Sequence, residues 1–228
     1  MRLVRHLSDL PFASVADGSV VTIGAFDGIH LGHRQLLRRV VDVAMQSNRP
    51  AIAMSFEPTP KEFFAGDQPP ARLMRFREKL DALAERKIDI FYCPRFGNEM
   101  RNIAADAFIR RVLVHGLNAR HIVVGDDFHF ARRREGSVED LLRVAPALDL
   151  TVEQVPSILV GNSRVSSTSV REALAAGNLE RATALLGRPY RMSGRVVRGR
   201  QVGRSLGYAT ANVDLRRRQS AVMGIYAV

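Results

Sequence analysis

An α/β fold around a parallel sheet is the architecture this sequence predicts, and three observations carry the prediction. Short apolar runs of strand character alternate along the chain with stretches of helical periodicity. The first run, Val20-Val21-Thr22-Ile23, passes through a glycine-bracketed turn into a segment where Leu36, Leu37, Val40, Val41, Ala44 and Met45 recur at helical spacing. A later run, His121-Ile122-Val123-Val124, ends in Gly125-Asp126-Asp127, and open parallel sheets place their ligands at the C-terminal ends of strands.

Taken in order, residues 1–19 read as a short lead-in with Pro11 and Gly18 as breakers. The first strand and helix occupy 20–46. A second strand over 51–56 is stopped by Pro58 and Pro60, which cannot continue a ladder. Helical character follows over 73–87, and a third strand over 87–92. Asn98 is placed to cap a helix through Ile103, Phe108, Val112 and Leu113 that ends at Gly116. The fourth strand covers 121–124. A helix through Val138, Leu141, Leu142 and Val144 leads to a fifth over 150–155. Ser167 or Thr168 can cap a helix through Val170, Leu174 and Ala175, and Asn178 starts another over 179–186. Helices between strands imply helices on both faces of the sheet, as in a Rossmann-like nucleotide-binding domain. Gly187-Arg188-Pro189 breaks the chain, so the expected division is 1–186 and 187–228. No internal repeat or low-complexity segment interrupts it.

Composition limits the function classes. With 228 residues, 46% hydrophobic and 25% charged, the chain suits one large globular domain, or one domain and part of another. No apolar run approaches the roughly 20 residues that span a bilayer. The N-terminus shows no secretory signal and the single Cys93 allows no internal disulfide, so a reducing cytoplasm is expected. The net charge of +11 fits anionic small-molecule substrates. The arginines are scattered and little aromatic character is interleaved with them, which argues against a nucleic-acid role.

Chemistry concentrates at the first turn. Strand, glycine turn and helix together present free backbone N–H groups and a positive dipole end to a phosphate. His30 and His33 stand three apart at that helix start, where both rings can share one face and donate to a phosphate gaining charge. No Cys or third His stands beside them to make a metal site, and no metal ligand is assigned here.

The run Gly24-Ala25-Phe26-Asp27-Gly28-Ile29-His30-Leu31-Gly32-His33 resembles the HxGH motif of the nucleotidylyltransferase superfamily. With Phe-Asp-Gly before the first His, it is particularly similar to the prokaryotic bifunctional FAD synthetases, which are riboflavin kinase/FMN adenylyltransferases. Residues 56–63, with Phe56 and Pro58, resemble that family's second motif near the flavin and nucleotide. Residues 124–136 are close to its Val-Gly-x-Asp-Phe-x-Phe-Gly-x-x-Arg-x-Gly run, with Arg134 at the expected arginine and Ala131 where glycine is usual. Ser166-Ser167-Thr168-Ser169-Val170-Arg171 looks like the second nucleotidyl-transfer motif, and no lysine-rich loop of a class I aminoacyl-tRNA synthetase is visible.

The resemblance implies transfer of AMP from ATP to FMN with Mg²⁺. His30, His33, Ser167, Thr168 and Arg171 would be catalytic. Gly24, Ala25, Phe26, Asp27, Gly28, Gly32 and Ser166 would border ATP, and Phe56, Pro58, Asp127, Phe128 and Arg134 the flavin. Beyond 187 the chain resembles the opening of a riboflavin kinase β-barrel, in which Thr210 and Asn212 would serve Mg–ATP, with Ala209 in place of the family's proline. That module is expected to be incomplete, without riboflavin phosphorylation. A pantetheine- or nicotinamide-nucleotide adenylyltransferase, or a basic nucleic-acid-binding protein with a decayed nucleotide site, stays open as an alternative.

Overall fold

Strand β2 (Ser19–Ile23) is buried along its whole length, as is β3 (Ala51–Met54) beside it. Strands covered on both faces need continuous apolar sequence rather than alternation, which is why these runs are so uniformly hydrophobic. The computed structural model describes residues 1–199, 207–208 and 210–226. With β1 (Arg2–Val4), β4 (Ile90–Tyr92), β5 (Ala119–Gly125) and β6 (Thr151–Val155), they form a six-stranded parallel sheet in the order β1-β4-β3-β2-β5-β6.

Val21, Ile23, Ile52 and Met54 face one core with Phe108, Leu113 and Ile122, whereas Val20, Ala51 and Ala53 face the other with Leu37, Val40 and Leu83. Helix α1 (Leu31–Ser47) covers the second face, together with α3 (Phe76–Ala84); the short α2 (Pro60–Ala65) borders the cleft. Helix α4 (Val138–Val144) belongs to the first face. A third cluster joins α5 (Ser167–Ala175) and α6 (Leu179–Leu186) to Leu73, Val165 and Ala221.

Several boundaries differ from the sequence expectation. The lead-in contains an edge strand: Arg2, Leu3 and Val4 pair with Ile90, Phe91 and Tyr92, too few residues to show periodicity. The helix expected from residue 73 starts at Phe76, because the amides of Leu73 and Met74 donate instead to the Asp27 carboxylate, at 3.1 and 2.9 Å. Asn98 is not a cap. Gly97 takes that place, and the expected helix is broken into Asn98–Arg101, Ala105–Ala107 and Phe108–Val114. The last piece is wound wide, with the His115 amide reaching the Arg110 carbonyl five residues back.

Toward the C-terminus Arg195–Val197 pairs antiparallel with Asn212–Asp214. Ala209 and the run 200–206 lie outside the described residues, as do 227–228. Arg217 anchors this part to the rest of the chain. Its side chain, 2% exposed, donates to the carbonyls of Arg72 (2.6 Å) and Leu73 (3.2 Å) and pairs with Glu78 (2.7 Å).

Candidate active site

The C-terminal ends of the central strands open into a cleft of about 720 Å³. Gly24 after β2, Ser55 after β3, Gly125 and Asp126 at the end of β5, and Pro156 after β6 all line it. A parallel sheet splays its connections at this end, so loops distant in sequence converge there.

The turn between β2 and α1 forms the floor, and it is strained. Phe26, Gly28 and Ile29 all have positive φ, at 48°, 85° and 41°. Phe26 and Ile29 are fully buried, which holds these unfavourable conformations through packing. Side chains from elsewhere grip the turn's carbonyls. Lys79 Nζ donates to Ala25 O at 2.7 Å, Ser167 Oγ to Asp27 O at 2.8 Å, and Arg188 Nη2 to Gly28 O at 3.1 Å. The Asp27 carboxylate accepts from two backbone amides and pairs with Arg171.

His30 caps α1, its Nδ1 accepting the His33 amide at 3.3 Å. That bond assigns the ring proton to Nε2. The two imidazoles stack with centroids 3.7 Å apart, and His33 leans on Phe26 at 5.3 Å. Burial lowers the His30 pKa to about 4. Burial, and then the neighbouring His30, hold His33 well below the usual imidazole value. Both rings are therefore neutral at pH 7. A neutral ring still donates through one N–H, so the pair can stabilise a developing anion without having to lose a proton.

Across the cleft, α5 is capped by Ser166, whose hydroxyl accepts the Ser169 amide at 3.1 Å. The cap is thus neither Ser167 nor Thr168. Ser167 spends its hydroxyl on the Asp27 carbonyl instead, while Thr168 lies exposed on the cleft wall. Arg171 donates Nε to Ala71 O at 2.6 Å and Nη2 to Asp27, leaving Nη1 without a partner among the described residues.

Of the residues singled out from sequence, Gly24, Ala25, Asp27, His30, Gly32, His33, Phe56, Asp127, Phe128, Arg134, Ser166, Ser167, Thr168 and Arg171 line the cleft. Phe26 does not: its ring lies beneath Gly24, where a Cβ would come within 3.1 Å of it. Gly28 also stays off the surface of the cleft, pressed against Leu73, which a Cβ would meet at 2.7 Å. Pro58 falls outside the lining, although Thr59 and Pro60 are in it. Thr210 and Asn212 lie exposed toward the C-terminus, with Asn212 on the antiparallel pair there.

Three cleft cations escaped sequence reasoning. Arg164, carried on the hairpin Leu159–Val160/Ser163–Arg164, pairs with Asp126 at 3.2 Å and Asp127 at 2.8 Å, so both aspartates border the site. Arg72 pairs with Glu57 and Glu62. Burial alone would raise Glu62, but bonds from Arg72 and the Thr59 amide outweigh it and hold the carboxylate below its usual range. Lys79 is 4% exposed and lies under the turn. None stands in a motif singled out from the sequence, since each reaches the cleft only through tertiary contacts with residues distant in the chain. An aromatic wall completes the cleft, with the Phe96 ring 5.9 Å from Phe64 and 5.4 Å from Phe56.

No three His, Cys, Asp or Glu side chains converge on a metal site among the described residues. The carboxylate nearest the histidines, Asp27, is already held by Arg171 and two amides. This donor set does not fit a protein-caged divalent cation.

Comparison with known proteins shows the family to which the chain belongs. The FAD synthetase family model matches residues 13–169, which include the turn, both histidines and the start of α5. This chain belongs to the FAD synthetase family. The riboflavin kinase model matches residues 186–228. FAD synthetase relatives named bifunctional riboflavin kinase/FMN adenylyltransferase include those of Escherichia coli K12, 44% identical, and Haemophilus influenzae, 40% identical. Each aligns with the whole of this chain, which covers 72% and 73% of their lengths. A solved structure described as a macrolide-efflux protein from Streptococcus pneumoniae superposes with a TM-score of 0.79 at 30% identity, over 95% of this chain and 69% of that one. No described helix of this FAD synthetase family member is long and apolar enough to cross a membrane.

Proposed function

We propose that this chain transfers AMP from ATP to FMN, forming FAD and pyrophosphate. An FMN phosphate oxygen attacks the α-phosphorus, the bond from that phosphorus to the β-bridging oxygen breaks, and pyrophosphate leaves with the electron pair. The nucleophile is already an anion, so no strong base is required. The protein's task is alignment and charge stabilisation. The observation that carries this reading is the stacked, neutral His30–His33 pair at the start of α1, with Thr168, Arg171 and Arg164 lining the same cleft.

In this reading His30 donates through Nε2–H to the α-phosphate, with His33 beside it. Thr168 and the free Nη1 of Arg171 hold the β,γ side, and Gly24, Ala25 and Gly32 border the nucleotide through backbone. Ser167 contributes by holding the turn, and Asp27 by holding Arg171. Phe56 and Phe128 form the flavin side, with Asp127 and Arg134 at its edge. Mg²⁺ would be carried on the ATP phosphates as part of the substrate. Residues 1–186 form the adenylyltransferase part and 187–228 kinase-type sequence, where Thr210 and Asn212 would meet a second Mg–ATP. A cytoplasmic location suits these small, charged substrates.

The test is to incubate purified protein with Mg–ATP and either FMN or riboflavin and to separate the flavins chromatographically. FAD from the FMN reaction is the expected product. A folded protein that makes none has another substrate.

A further inference from the structure

Lys79 is the one lysine of the described residues that is buried, at 4% exposed, and it has no carboxylate in ion-pair contact. The two acids nearest in charge are engaged elsewhere, Asp27 with Arg171 and Glu57 with Arg72. Among the described residues the one hydrogen bond of its side chain is Nζ to Ala25 O at 2.7 Å. A buried cation without a paired anion is expensive, and an apolar side chain of the same length would suit the stability of α3 better. The place where the cation is spent is informative. Ala25 opens the strained turn that ends in His30, and Ser55 Oγ reaches the same carbonyl only loosely, at 3.4 Å.

We propose that Lys79 is a positioning residue for adenylyl transfer: by holding the Ala25 carbonyl it fixes the turn that aims His30 and His33 at the reacting phosphate. The proposal rests on the reading of the cleft given above. The grip comes from α3, and it acts N-terminal of the carbonyls that Ser167 and Arg188 hold. Asp27 is held a second time through its carboxylate, so the turn is tethered at Ala25, Asp27 and Gly28. Burial lowers the pKa of Lys79 itself, and its charge is a lesser influence, after burial and His30, that lowers His33. A turn released at Ala25 would relax from its positive-φ conformations. A displacement of about 1 Å in aligned groups can cost on the order of 100-fold in rate.

The experiment compares wild-type protein with Lys79→Met and Lys79→Arg by FAD formation, thermal unfolding and hydrogen exchange of the segment 24–30. Lys79→Met is expected to melt at or above the wild-type temperature while kcat falls about 10- to 100-fold. The KM for FMN should stay unchanged, because the flavin side is built from other loops, and exchange should quicken in 24–30 alone. Lys79→Arg, which keeps a donor, should recover most of the rate. Unchanged kcat and exchange in the Met variant would overturn the proposal. So would a rate loss that merely tracks a lower melting temperature, with exchange quickened across the sheet. If Lys79→Met does not fold, a folded Lys79→Arg protein with near wild-type kcat and unaltered exchange supports the role, and one with lost kcat and unaltered exchange contradicts it. Should wild-type protein form no FAD, the substrate reading fails separately, and the exchange comparison alone decides whether Lys79 fixes the turn.

Discussion

His30 and His33 do opposite things from what an exposed pair would do. Stacked 3.7 Å apart and desolvated, they cannot share two positive charges, so they meet the substrate as neutral donors. His33→Ala should therefore lower kcat for FAD formation about 100- to 1000-fold, the loss typical of one charge-stabilising donor, with the thermal midpoint little changed. Ala131 makes a different kind of prediction. Its φ of 65° and ψ of −170° fall in a region that only glycine occupies without strain, and the family pattern has glycine here. Ala131→Gly should stabilise the protein by about 1 kcal/mol in denaturant unfolding, since the relieved strain exceeds the added chain entropy.

Among the elements, the joint between the turn and α5 is the most consequential. Asp27 and Arg171 are each less than a fifth exposed at the side chain, at 10% and 19%, and they tie the floor of the cleft to its wall. Asp27→Ala would strand Arg171 and free the Leu73 and Met74 amides. A loss of about 3–5 kcal/mol is expected in equilibrium unfolding, together with loss of FAD formation. This joint also shows where sequence reading stops. The alternation of strands and helices, the cap at Asn178 and the histidine turn were all legible, because each is a local pattern of a few residues. The use of Asp27 as a bracket was not, since its partners lie more than forty residues away. Ser167 illustrates the same limit. Its sequence position suggests a cap, but Ser166 is nearer the geometry of the helix start and leaves Ser167 for the turn. Edge strand β1 was missed because three residues carry no periodicity.

For the whole molecule, burial of neutral histidines couples stability to pH. His30 holds a proton only below about 4 when folded, against an ordinary value of 6.5. As pH falls through that window the unfolded chain takes up protons that the folded chain refuses, so the sign is destabilisation with acid. His33 and His121, both lowered chiefly by burial, act in the same direction. Below that, Glu153, held low first by its bond from Arg39, loses its contribution as it protonates. Unfolding free energy should decline from pH 7 to 4, with His30 alone contributing about 3 kcal/mol to the fall. Chemical denaturation at stepped pH measures this, and a flat profile would show that these rings are not buried as described. The two parts of the chain are also coupled. Arg217 reaches from the second into the segment Arg72–Leu73, whose neighbouring amides hold Asp27.

Adenylyl transfer is defined by attack at the α-phosphorus, and ATP labelled separately at the α- and γ-phosphorus tests that most directly. With FMN and Mg²⁺, α-label is predicted to appear in FAD and γ-label only in pyrophosphate, with both signals falling together in His33→Ala. Transfer of γ-label to flavin, or label release that His33→Ala leaves unaltered, would contradict the assignment of this cleft to adenylyl transfer.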